Sequence, residues 1–309
     1  MPPTSLPFVQ SQFHRYIIPP VAALGCAGNI LILVLFRKHR TNACALYLSA
    51  AAMMNIIYLT LSVTLSMYTN ERGDPSLRSL ALCKLRFYLF HVWGQMSRYF
   101  IVCACIDRYA LTHMNPRVRS LSGVTMVRRS IAIITIFWHL IALHIVIMTT
   151  VRNRRCGYFD LYSTLNSVYV LICNCLIPPM IMAVFGSLAF LNMKRLHKRV
   201  HASGNGSNGN VTVHRQDRNM LAMLLAEVSV YVVTMSLYPL ITLEVAVTSS
   251  LVKDLHRIQI EGFLQFMSLF LIYVNTSAPF YIYMAVSESF RHEFIELIGK
   301  PWRRVLHPH

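Results

Sequence analysis

Four ionisable residues stand inside or at the edge of long uncharged runs: Arg98, Asp107, Arg108 and Glu227. An arginine is permanently charged, and its planar fork can exchange one acceptor for another. Asp107-Arg108-Tyr109 therefore suits a switching ion pair at a helix end. It equally suits a cluster that anchors that end in a polar interface, the acid neutralising the base. The polar residues Arg86, His91, Gln95 and Glu244, with the aromatic Phe90 and Tyr238, could contact a ligand. Eight cysteines include no CxxC pair for zinc, and no nucleophile–base arrangement is visible. The expectation is a non-enzyme with no cofactor and no metal.

These groups must be positioned by elements that tolerate very little charge. Of 309 residues, 55% are apolar and 13% charged, where a soluble domain carries about 25% charged. Seven runs reach the roughly 20 residues that a helix needs to cross a bilayer. They are Tyr16–Phe36, Ala43–Tyr68, Phe87–Ile106, Ser130–Val151, Leu161–Met193, Asn219–Leu243 and Gly262–Val286. The runs lack the alternation of a barrel strand. The fold class is an all-α bundle of seven transmembrane helices.

The net charge of +17 is distributed unevenly. With the amino terminus outside, 18 of the 29 Lys and Arg fall on inner segments, which sets that orientation. The basic character then reflects topology and attraction to anionic lipid, and nucleic acid is not expected as a partner. Residues 1–15 form a short outer terminus without an apolar leader, 16–286 the bundle, and 287–309 an amphipathic helix and tail. In that last segment Phe290, Phe294, Leu297 and Ile298 recur at helical spacing. A Gly/Ser/Asn-rich linker covers Ser203–Asn210. Cys83 and Cys156 both fall on the oxidising side, where a bridge would pin the second outer loop over the third helix.

In this order along seven spans, the motifs resemble those of the rhodopsin-like (class A) G-protein-coupled receptors. The matching residues are Gly28-Asn29, Cys83, Asp107-Arg108-Tyr109, Trp138, Cys156, Pro178-Pro179, Pro239 and Pro279-Phe280-Tyr281-Ile282-Tyr283, then Phe290-Arg291. Within the class the Phe-x-Ile-Tyr ending and the paired prolines look most like invertebrate FMRFamide-type neuropeptide receptors and related orphans. The resemblance implies a plasma-membrane receptor for an extracellular ligand, a peptide by this likeness, acting on a heterotrimeric G protein. It also implies that Arg108 is held by Asp107 at rest and turns toward the G protein when the sixth helix moves outward. Pro239 and Pro279 would kink the sixth and seventh helices.

The departures sharpen these expectations. The acid usual at the cytoplasmic start of the sixth helix is absent, with Arg215 and Arg218 nearby. Glu227, the one acid inside a span, is the candidate to contact Arg108 and restrain that helix; a carboxyl kept protonated by burial is the alternative. The toggle tryptophan becomes Leu237 beside Tyr238, and the family's Asn-Pro-x-x-Tyr becomes Pro279-Phe280-x-x-Tyr283, so the Asn is lost and the Pro shifts. The interior sodium site has Asn55 in place of its aspartate, with Ser97 and Asn275 as further polar members and Asn29 nearby. Without the carboxylate a cation loses its counter-charge. Arg98 costs roughly 2.5–3.5 kcal/mol at mid-membrane and must face protein or water. Phe90 stands where amine receptors carry an aspartate, and the seventh span has no lysine for retinal. Two rivals stay open: a receptor-like protein that no longer couples, and a transporter, for which no internal repeat is found.

Overall fold

The computed structural model describes residues 6–152, 154–202, 208–249 and 251–306, with side chains described through 195, over 218–249 and over 251–299. The linker expected at 203–210 lies outside the described residues up to 207, and from Asn208 the chain is helical. Arg215 likewise has no described side chain.

Seven long helices form the bundle. α1 spans 6–36, α2 Ala43–Arg72, α3 Leu80–Thr112 and α4 Val124–Met148; α5 spans 160–202, α6 208–247 and α7 255–286. α8, Glu288–Leu306, follows them. Among the described residues all but α3 of the seven are apolar and long enough to cross a membrane on composition alone. α3 falls short because His91, Gln95 and Arg98 interrupt it, and it lies against protein along most of its length, with Val92, Ala104 and Cys105 fully buried. Ala51 and Ala52 on α2, Ala104 on α3 and their small neighbours allow close helix approach without the hydrophobic effect to draw helices together in lipid.

α1 begins at Leu6, well before the expected Tyr16, so residues 6–15 extend the first helix instead of forming an irregular terminus. The extension is held by apolar contact: the Phe13 ring meets Phe266 and Phe270 edge-on at 6.0 and 5.4 Å. His14 adds a hydrogen bond to Ser66 of 3.1 Å.

Two helices share one irregularity. A π-helical turn at Phe13–Ile17 precedes Pro19-Pro20 in α1, and another at Leu171–Leu176 precedes Pro178-Pro179 in α5. A proline in a helix lacks the N–H that would reach back four residues, and its ring crowds the carbonyl there. Widening the preceding turn moves that carbonyl aside, and each chain continues as α-helix. In α6 the break falls at Ser236, between segments ending at Met235 and starting at Leu237, one turn before Pro239. In α7 it falls at Ala278, before Pro279. The two breaks thus fall next to the prolines expected to kink these helices.

α1 and α7 touch at two glycines. A Cβ on Gly25 would overlap the Ser277 side chain, and one on Gly28 would stand 2.9 Å from Phe280 Cβ. Outside the bundle, β1 (Thr150–Arg152) pairs antiparallel with β2 (Arg155–Gly157), placing Val151 opposite Cys156. Cys83 and Cys156 form a disulfide with Cα atoms 5.9 Å apart, so the hairpin is tied to the outer end of α3. α8 packs Phe290 against Phe36 and Tyr283, and Arg291 donates to the last carbonyls of α7, Met284 and Ala285, at 3.0 and 2.9 Å. Phe294 and Leu297 lean on the same core, while Ile298 is exposed.

Candidate functional site

A cavity of about 530 Å³ opens on the outer side between α2, α3, α5, α6 and α7. Of the expected contacts, Arg86, Phe90, His91 and Tyr238 line it. Arg86 is held by Asp74 at 3.1 Å, near the mouth. Phe90 and Tyr58 meet edge-on at 5.8 Å, forming part of the wall. His91 shares a 2.9 Å hydrogen bond with Tyr169.

Two expected contacts do not reach the cavity wall. Gln95 is fully buried between helices, donating to Asn174 Oδ1 and accepting from Arg98 at 3.1 Å. Glu244 accepts from Arg257 at 2.9 Å on the exposed outer end of α6, where Arg257 also binds Glu261. Its distance from the site goes with that pairing: Lys253, just before α7, and Arg257, in its first turn, are two cations on which the acids gather.

Arg98 lines the cavity and is nearly buried, at 9% exposure. It reaches Gln95 Oε1 and, at 4.0 Å, Met235 Sδ, and lies 5.9 Å from the Tyr231 ring centroid. Its Nε has no hydrogen-bond partner, and no acid pairs with it among the described residues.

Below, the polar core is a chain of side-chain hydrogen bonds. Ser97 Oγ donates to Asn55 Oδ1 at 2.6 Å, and Asn55 Nδ2 donates to Asn29 Oδ1 at 3.2 Å. Asn29 Nδ2 donates to the Gly25 and Thr276 carbonyls at 2.8 and 3.1 Å. α1, α2, α3 and α7 are joined by this chain without a charge. Asn275 does not enter it; its amide turns to Thr234 on α6 at 2.9 Å.

At the inner end, Arg108 lies across Asp107, with Nη2 2.8 Å and Nε 3.3 Å from one carboxylate oxygen. Ser122 donates to the other oxygen at 2.6 Å. Arg108 also donates to Asn42 Oδ1 at 3.2 Å, the oxygen that caps the start of α2 through the Cys44 and Ala45 amides. Tyr109 packs its ring on His113 and Phe185, each at 5.3 Å.

The expected Arg108–Glu227 contact is absent. Glu227, buried on α6, accepts a 2.5 Å hydrogen bond from Tyr283 of α7. Similar depth along two helices does not fix which faces meet. Glu227 and Tyr283 thus connect α6 to α7, whereas Asp107 and Arg108 connect α3 to the start of α2.

Three participants went unread in the sequence: Asn42, Asn174 and Tyr231. Asn42 follows a basic turn and directly precedes an apolar run, the pattern of a helix cap. Asn174 lies four residues before Pro178, so its carbonyl has no helical donor, and Tyr231 supplies one.

A sevenfold bundle with an outward cavity, a bridged outer hairpin and an inner Asp-Arg-Tyr cluster defines a receptor-like multi-pass membrane protein. The family model of the 7 transmembrane receptor (rhodopsin family) matches residues 28–283, and the chain belongs to that family. Its members are receptors of the plasma membrane, not enzymes. Over 135 residues the chain is 23% identical to Olfactory receptor 1E1 of Homo sapiens, covering 43% of this chain and 42% of that one. It is 22% identical over the same length to Olfactory receptor 1E1 of Pan troglodytes and Olfactory receptor 1E2 of Gorilla gorilla gorilla. The match spans less than half the length of these curated relatives. The narrower likeness to FMRFamide-type neuropeptide receptors finds no support among them.

Proposed function

We propose that this chain binds an extracellular ligand in the outer cavity and activates a heterotrimeric G protein at its inner face. The observation that carries the reading is the Arg108 cluster. A buried, permanently charged fork is held by Asp107 and by Asn42 at a helix start, and all three can be separated without breaking backbone structure. Outward movement of α6 would require the Glu227–Tyr283 bond to open, which gives the ligand end a physical link to the coupling end.

A volume of about 530 Å³ lies within the range of roughly 300–1,000 Å³ typical of small-ligand sites. A peptide is the second reading, favoured by Arg152 and Arg155 on the outer hairpin; it would lower only a terminal residue or two into the cavity. G-protein dissociation in intact cells tests the proposal, comparing wild type with Arg108→Ala at matched surface expression. A response to small organic or neuropeptide libraries that vanishes in the variant supports it. Silence of a well-expressed wild type, basal signal included, overturns coupling and leaves the receptor-like reading.

A further inference from the structure

Arg98 is the unexplained charge of this bundle. Among the described residues the other buried guanidinium, Arg108, has its carboxylate. Arg86, Arg152 and Arg257 have theirs at or near the outer surface. Arg98 is buried by 91% among neutral partners, an amide oxygen, a thioether and an aromatic face. A guanidinium carries five N–H groups, and these partners satisfy few of them. Glu227 also borders the cavity, but its carboxylate is committed to Tyr283.

The surroundings of Arg98 could receive an anion. Arg98 lies on the cavity wall more than three helical turns, about 18 Å, below Arg86. Tyr58 and Tyr238 line the same cavity, and among the described residues neither phenol hydroxyl takes part in a hydrogen bond. Ile101, Leu269 and Ile272 supply apolar wall. A carboxylate presents two oxygens, so the guanidinium and a phenol can serve it together.

We propose that the Arg98 guanidinium is the docking group for a small organic anion, a monocarboxylate whose apolar body fills the cavity above it. This rests on the cavity being the ligand site, but not on coupling to a G protein. The cation then has a purpose consistent with its cost: the ligand itself completes a buried ion pair, and neutral analogues leave it incomplete. Discrimination between an acid and its amide should therefore exceed that from shape alone.

The test is thermal unfolding of the purified full-length chain in lipid nanodiscs, in chloride-free buffer. The probes are hexanoate and phenylacetate, each against its primary amide. We expect both acids to raise Tm in a saturable manner, with the amides at least about tenfold weaker. Arg98→Gln should weaken acid binding by a similar factor, and Arg98→Lys, which retains the charge, should fall between. Equal shifts from acids and amides, no shift from either acid, or full binding in Arg98→Gln would overturn the proposal. Chloride that reproduces the stabilisation and competes with both acids would also overturn it, showing an inorganic-anion site. If Arg98→Gln does not fold, the acid-against-amide comparison in wild type and Arg98→Lys decides. Because Tm is read without a G protein, a silent coupling assay alongside acid binding would sink the receptor activity alone.

Discussion

The phenol of Tyr231 on α6 donates to the backbone carbonyl of Asn174 on α5, the same carbonyl that Pro178 leaves without a helical donor. A defect in one helix is thus satisfied by its neighbour. The wide turn at Leu171–Leu176 presents the carbonyl sideways, and the Asn174 side chain simultaneously accepts from Gln95 of α3. Three helices meet at one residue beside the outer cavity.

Removing the Tyr231 hydroxyl should therefore strand a buried carbonyl. Tyr231→Phe is expected to cost about 1–3 kcal/mol, read as a lower Tm of the purified protein. In a Pro178→Ala background the helix regains its own donor, and the cost of Tyr231→Phe should shrink. Additive losses in this double-mutant cycle would show that the two residues are not coupled.

A hydrogen bond from Tyr283 to Glu227 joins α7 to α6, and under the proposed function it would restrain α6. Tyr283→Phe and Glu227→Ala should each raise basal G-protein dissociation, and the double variant should do no more than the stronger single one. Unchanged basal signal in both, at matched expression, would remove the clamp from the switching account.

The uncharged chain Ser97–Asn55–Asn29 leaves no carboxylate for an interior cation. Replacing sodium with a bulky organic cation should leave Tm unchanged in the wild type. Asn55→Asp restores the carboxylate and should introduce a sodium-dependent rise. A sodium effect in the wild type would contradict this assignment.

Cutting the tether between α3 and the outer hairpin should be costly. Cys83→Ser, Cys156→Ser or both together should lose about 2–5 kcal/mol and reduce surface expression to the same extent. If the double variant were markedly better expressed than either single one, free-thiol mispairing would be the cause of the loss, not the missing bridge.

The bundle was legible because crossing a bilayer imposes a length and a composition that can be read residue by residue. The bridge, the helix breaks near Pro239 and Pro279, and the polar triplet Asn29, Asn55 and Ser97 followed from position along those spans. Partnerships across helices were less legible. Arg108 and Glu227 share a depth yet not a face, and only the rotation of each helix about its axis separates them. Asn275 and Glu244 misled for the same reason: a hydroxyl and a guanidinium of neighbouring helices drew their side chains away from the expected neighbours. The extension of α1 to Leu6 depended on Phe13 finding two rings more than 250 residues away, which no local pattern reports.

One oxygen of Asn42 has a consequence for repeated use of the switch. It caps α2 through two amides while also receiving Arg108. Were the guanidinium to leave, as the proposed coupling requires, the amides would keep their acceptor and the start of α2 its cap. The keeper of the latch is the same before and after release. Under the proposed switching, the place that Arg108 would leave stays built, so the cluster could re-form in the same geometry.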